Sequence, residues 1–228
     1  MIFRQQVWPQ TRVCIESDDF LMEKSHVFVI DDDDGLRNSV GDLLAFAGYS
    51  VRTWREPEKF LSELPHVAPA VVVTDMRMPG LTGLDLHQAL LERGRSMPVV
   101  YISGESSVHQ SISAMKLGAS DFLIKPFTRE DLLKAVAAGI EKDRHQMRQM
   151  IEQTRFETAL THLTPREREV YGLLCRGYSN VEIVDELGIS LPTAKQYKSM
   201  VMRKLGVRSL SQLLQLSAHL QASAQAAS

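Results

Sequence analysis

Four consecutive aspartates, Asp31 to Asp34, close the first apolar run of this chain. A fifth, Asp75, closes the β-branched run Val71-Val72-Val73-Thr74. Two later apolar runs end on Ser103-Gly104 and on Lys125-Pro126. Crowded carboxylates repel one another, and a hard cation with oxygen ligands relieves them. Mg²⁺ suits such a place because it needs few carboxylates and keeps several waters. A carboxylate can also act as a nucleophile and form an aspartyl phosphate. A metal and a lysine can neutralise the phosphoryl oxygens in the transition state, and a hydroxyl can bond the product. Gly104 leaves room for a donor to approach. Each of these groups alone is as well explained by a helix cap or a solvated turn. Together they form a set able to transfer a phosphoryl group to a carboxylate, provided the fold brings the ends of these runs to one place.

The order of elements supplies that condition. Short apolar runs at Val27–Ile30, Tyr49–Trp54, Ala70–Thr74, Val99–Ile102 and Phe122–Ile124 read as strands. Helical patterns at 35–47, 56–64, 83–93 and 108–117 separate them, with Pro57 in a first turn, Thr82 as an N-cap and Gly118 as a stop. Strands alternating with helices predict a five-stranded parallel sheet covered on both faces, a doubly wound α/β domain. In such sheets ligands sit at the carboxyl ends of the strands, where the aspartates, Ser103 and Lys125 fall.

The charge balance hints at a second job in the same chain. Residues 26–127 carry 13 acidic and 9 basic side chains, whereas 190–208 carry Lys195, Lys198, Arg203, Lys204 and Arg208 with no acid. A basic stretch of this kind faces either solvent or a polyanion. Around it, Thr164-Pro165-Arg166-Glu167 has the pattern of a capping box with proline at the first helical position. Ser179 caps a helix over 180–187, Gly188 ends it, and Ser190 caps the next, which runs to Leu205. A fourth covers 210–221. Two helices joined by the tight Leu187-Gly188-Ile189-Ser190 turn make a helix-turn-helix, whose second helix enters the major groove. That helix holds the acid-free basic stretch. Between the two regions, 128–160 reads as one long helix or two. Its apolar residues, Leu133, Val136, Ile140, Met147 and Met150, lie near heptad spacing, interrupted by Asp143 and Thr154. A weak coiled coil and a helix docked on its own domain are both open.

Cys14 and Cys175 are the only cysteines, too few for a disulfide framework or a zinc site. No apolar stretch reaches the roughly 18 residues of a membrane span, and the start lacks the basic and apolar regions of a signal peptide. A reduced, cytoplasmic protein without a membrane partner is expected. Met22 lies just before the first strand and is read as the natural start, with the preceding 21 residues an extension.

Several motifs carry a resemblance. They are Val29-Ile30-Asp31-Asp32-Asp33, Val73-Thr74-Asp75-Met76-Arg77-Met78-Pro79-Gly80, Ile102-Ser103-Gly104 and Asp121-Phe122-Leu123-Ile124-Lys125-Pro126-Phe127. With their spacings, they resemble the receiver domain of two-component response regulators, whose fold is flavodoxin-like. The resemblance implies that Asp75 accepts the phosphoryl group. It implies that Asp31, Asp32, Asp75 and the backbone carbonyl of Arg77 hold Mg²⁺. Ser103 would bond the phosphoryl oxygen, Lys125 would ion-pair with it, and Phe122 would be the aromatic switch.

The segments Leu163-Thr164-Pro165-Arg166-Glu167-Arg168-Glu169-Val170, Ser179 to Ile183, Leu187 to Ser190, Thr193 to Lys195 and Met202 to Val207 resemble the LuxR-type DNA-binding domain. Ala194 and Tyr197 stand where that family usually has Val and His, which leaves the preferred DNA sequence less predictable. The matching positions imply Lys195, Gln196 and Ser199 at base edges, with Arg203 and Lys204 nearer phosphates.

The whole chain is similar to the FixJ/NarL class of response regulators. The expected layout is an N-terminal extension (1–25), a receiver (26–140), a linker helix (141–159) and a helix-turn-helix domain (160–225, with the motif at 179–198). The expected partners are a sensor histidine kinase, DNA at an inverted repeat, RNA polymerase and, on phosphorylation, a second copy of the chain. An activator of transcription is expected. Two other readings stand beside it. A phosphatase of the haloacid dehalogenase type would use Asp31 and Asp33, with Asp31 as nucleophile. A DNA-binding protein could also use its receiver only to dimerise. Arg77 and Glu105 each lie two residues past a key group and are expected to overhang the site.

Overall fold

The computed structural model describes residues 24–94, 96–104 and 108–226. Residues 1–23 of the expected extension, Met22 among them, and Glu105 lie outside the described residues. The chain divides between Met147 and Arg148 into two compact units.

The first unit alternates strand and helix. Its elements are β1 (His26–Ile30), α1 (Asp34–Phe46), β2 (Ser50–Trp54), α2 (Pro57–Ser62), β3 (Ala70–Asp75), α3 (Gly83–Glu92), β4 (Val99–Ser103), α4 (Val108–Lys116) and β5 (Asp121–Ile124). All strand pairs are parallel, in the order β2-β1-β3-β4-β5. The order reverses between β1 and β3, which opens a crevice at their carboxyl ends. Because β3 is central, every residue from Ala70 to Asp75 is buried. Alternate residues feed two cores. Phe28, Ile30, Val72 and Tyr101 pack with Leu86 and Leu90 of α3, while Val27, Val29, Val71 and Val73 pack with Val40 and Leu44 of α1.

α5 (Arg129–Thr161) is a single helix of 33 residues, so the long segment after Thr128 is continuous. Leu132, Ala135, Val136 and Ile140 bury its first turns against the sheet. Asp143, which only interrupted the apolar spacing in the sequence, is 1 % exposed and accepts a hydrogen bond from the Ala70 N–H at 2.7 Å. Its carboxylate thus ties α5 to the amino end of β3.

A second buried polar contact joins α3 to β4. His87 Nδ1 lies 2.9 Å from the Tyr101 hydroxyl, and both residues are buried. Burial holds the His87 imidazole below its ordinary pKa, assisted by the Lys142 ammonium, and pushes the Tyr101 phenol far up. The unfolded chain therefore binds a proton at His87 that the folded chain refuses. Stability from this group is present above the ordinary histidine value and falls as pH drops below it. Urea unfolding at about pH 7.5 and about pH 5.5 is expected to show a larger acid-side loss for wild type than for His87→Gln. Equal losses would remove His87 as the cause.

The second unit is helical: the end of α5, α6 (Pro165–Cys175), α7 (Asn180–Leu187), α8 (Leu191–Lys204) and α9 (Leu210–Ala226). Thr164 and Glu167 form the capping box of α6 expected from sequence. Ser179 and Ser190 cap α7 and α8, and Gly188 takes the left-handed conformation (φ 61°) that closes α7. Phe156, Val170, Leu174, Ile183, Ala194, Val201 and Leu213 share one core. Among the described residues no helix is long and apolar enough to cross a membrane.

Candidate functional site

The crevice at the carboxyl ends of β1, β3, β4 and β5 forms an open cavity of about 350 Å³. Asp31, Asp32, Asp33, Asp75, Arg77, Ser103, Gly104 and Lys125 line it. The four strand ends named from the sequence thus converge. Lys125 is the centre of the charge arrangement. Its Nζ donates to Asp75 Oδ1 at 2.6 Å and lies 3.8 Å from Asp31 Oδ2. The other Asp75 oxygen accepts from the Arg77 N–H at 2.6 Å. Asp31 accepts from the Asp33 N–H at 2.8 Å, and its carbonyl accepts from the Arg37 guanidinium at 2.7 Å. Asp31, Asp75 and Ser103 are buried, whereas Asp33 is exposed and caps α1 through the Leu36 N–H.

Burial raises the Asp31 carboxyl above its usual range. The Asp33 hydrogen bond and Lys125 oppose that rise, and Asp75 and Asp32 add to it. A buried carboxylate in this state favours an added cation. Among the described residues no three His, Cys, Asp or Glu side chains gather closely enough to hold a metal by themselves. The expected trio of Asp31, Asp32 and Asp75 is therefore not drawn together as a closed cage, and the Lys125 ammonium stands between two of its members. Mg²⁺ does not require such a cage, since one or two carboxylates and water satisfy it. The donor set fits that ion.

Two features of the site were not visible in the sequence. Arg37, one turn into α1, braces the acidic loop through the Asp31 carbonyl and the Asp34 carboxylate. Gly83, the first residue of α3, lies against the end of β3. A Cβ there would collide with the Asp75 carbonyl oxygen and meet the Met76 Cα at 3.3 Å. Because both contacts are backbone, a side chain displaces the acceptor loop. Gly83→Val is expected to cost about 1–3 kcal/mol and to impair any reaction at Asp75. An unchanged denaturant midpoint would refute the close approach.

Phe122 is half-buried on β5. It is the register partner of Tyr101, with ring centroids 6.3 Å apart. Nearby, Ile112 and Met115 of α4 and Ile124 of β5 are exposed.

In the second unit, Ala194 and Val201 turn one face of α8 into the core. Pro192, Lys195, Gln196, Ser199 and Arg203 are exposed. Pro192, Gln196, Ser199 and Arg203 recur at i, i+4, i+7 and i+11, a single helical stripe, with Lys195 beside it. Lys204 is exposed beside Arg203 and also makes a contact within its own unit. Its Nζ donates to Glu167 Oε2 at 2.7 Å, and the Glu167 side chain is 1 % exposed. The lysine lies off the stripe and supplies a cation to the buried carboxylate of the α6 capping box, beside its expected place near phosphate.

Residues 27–137 match the family described as "Response regulator receiver domain", and residues 161–217 match "Bacterial regulatory proteins, luxR family". Over 195 residues the chain is 36% identical to Nodulation protein W of Bradyrhizobium diazoefficiens, covering 85% of this chain and 86% of that protein. It is also 36% identical to the transcriptional regulatory protein FixJ of the same species, over 85% of this chain and 94% of that protein. The solved structure of the response regulator StyR superposes with a TM-score of 0.70 at 36% identity, covering 86% of this chain and 100% of that chain. Full-length FixJ from B. japonicum gives 0.52 at 36% identity, covering 85% of this chain and 95% of that one.

Proposed function

Because this chain belongs to the two-component response regulators that join a receiver to a LuxR-type DNA-binding domain, we propose that Asp75 takes a phosphoryl group from a sensor histidine kinase and thereby controls DNA binding. The family is one of transcription regulators and not a known enzyme class. The observation that carries the proposal is the Lys125 ammonium held against the Asp75 carboxylate at 2.6 Å in an open acidic cavity.

In the transfer, an Asp75 oxygen attacks phosphorus while the bond from phosphorus to the kinase histidine breaks. Lys125 neutralises the phosphoryl oxygens, and the Ser103 hydroxyl donates to one of them. Asp31, Asp32, Asp75 and the Arg77 carbonyl would hold Mg²⁺, which supplies further charge neutralisation when bound. The new group adds about two negative charges. Ser103 and Lys125 then turn toward it, and Phe122 moves as the switch. The α4–β5 surface with exposed Ile112, Met115 and Ile124 becomes the contact for a second copy. The dimer places two α8 helices on an inverted repeat, with Lys195, Gln196 and Ser199 at base edges and Arg203 and Lys204 near phosphates. The chain then acts as a cytoplasmic activator that engages RNA polymerase.

The test couples both units. Full-length protein treated with beryllofluoride and Mg²⁺ is expected to sediment as a dimer and to bind a selected inverted repeat more tightly. Excess chelator is expected to abolish both changes. One unchanged mass under all conditions would overturn dimerisation as the switch, and a response unaffected by chelator would overturn the metal requirement.

A further inference from the structure

The leading end of α8 is apolar where the rest of its outward face is polar. Leu191, its first residue, is 41 % exposed, and Pro192, its second, is also exposed. Neither is needed to cap the helix. Ser190 does that, accepting from the Thr193 N–H at 3.3 Å and sharing a 2.7 Å hydrogen bond with the Thr193 hydroxyl. Pro192 begins the stripe that continues through Gln196, Ser199 and Arg203, and Leu191 lies one turn from Lys195. An apolar step open to water at the head of this stripe calls for an apolar partner. Helix α8 carries Lys195, Lys198, Arg203 and Lys204 and no acid, a charge complementary to a polyanion.

A major groove offers one apolar group to a side chain, the C5 methyl of thymine. In a helix-turn-helix the amino-terminal residues of the second helix reach base edges. We infer that Leu191 and Pro192 form a thymine-methyl subsite, so that each half-site contains a thymine selected by contact with its methyl and not by hydrogen bonding. The inference rests on the proposed reading of DNA by α8 and adds a determinant that Lys195, Gln196 and Ser199 do not supply.

The experiment uses the full-length, beryllofluoride-activated protein and a duplex it selects from a randomised pool. Each thymine of one half-site is replaced in turn by deoxyuridine, which removes only the methyl. One replacement is expected to weaken wild-type binding about fourfold, the value of burying one methyl, and the others to have little effect. For Leu191→Ala/Pro192→Ala that same replacement is expected to cost nothing. The inference is overturned if no replacement weakens the wild type, or if the double variant keeps the full penalty. The wild-type scan alone decides the first point even if the double variant folds poorly. Gln196→Ala separates the two levels. If it too leaves base preference unchanged, the failure lies in the reading by α8 as a whole. If it relaxes one position while the uracil scan is flat, only the methyl subsite falls.

Discussion

Asp75→Asn protein incubated with acetyl phosphate and Mg²⁺ is expected to acquire no stable phosphoryl group, while wild type gives a shifted band on a phosphate-affinity gel. The substitution keeps the side-chain shape and removes the nucleophilic oxygen, so the folded crevice remains and its reaction is lost. Dimerisation and tighter DNA binding on treatment with the same donor should vanish with it. No neighbouring aspartate substitutes well. Asp31 already accepts from the Asp33 N–H and Asp33 caps α1, and neither is gripped by Lys125 as closely as Asp75 is. Labelling of Asp75→Asn at the wild-type level would remove Asp75 as the acceptor. Labelling lost on Asp31→Asn but kept on Asp75→Asn would favour the phosphatase-type use of the first strand.

Lys204→Ala is expected to lower the melting temperature of the second unit by about 5 °C or more, with Arg203→Ala leaving it unchanged. The Lys204 ammonium and the Thr164 N–H hold the Glu167 carboxyl below its usual range. The folded state therefore favours the ionised form, and this contribution is present above the ordinary glutamate value and lost as pH falls through the depressed one. The deficit of Lys204→Ala should accordingly be largest near neutrality and shrink in acid. Arg203→Ala should weaken binding to all DNA sequences and reduce its salt dependence by roughly one ion. Thermal melts of both variants across pH decide the matter. A wild-type melting temperature for Lys204→Ala at neutral pH would remove the Glu167 contact as a source of stability.

The contrast between these two residues shows where reading the chain alone stops. The strand-end site was accessible because alternating strands and helices force a parallel sheet, and a parallel sheet carries Asp31, Asp75, Ser103 and Lys125 to one edge whatever the side chains between them. The capping boxes and the glycine stop at Gly188 were accessible because they act within four residues. Lys204 looked like its neighbour Arg203, and nothing local marks it as the partner of Glu167, which is 37 residues away. Asp143 reads in the sequence as a flaw in an apolar repeat, and nothing local pairs His87 with Tyr101. Burial decides each case, and burial depends on contacts between distant segments. Gly83 is similar. A glycine after an N-cap is unremarkable until the end of β3 is placed against it.

The Asp143 contact sets where the first unit can be cut from the rest. A fragment ending at residue 140, the receiver boundary expected from sequence, or at residue 137, where the family match stops, would lack the acceptor of the Ala70 N–H. The strand that presents Asp75 would then begin with an orphaned donor, and an unpaired buried donor costs about 1–3 kcal/mol. Excision after Met147, the last residue of the compact unit, retains the acceptor. In native-state deuterium exchange the Ala70 amide of the longer fragment should belong to the slowest set. That of the shorter one should exchange early, reporting a frayed root to the central strand.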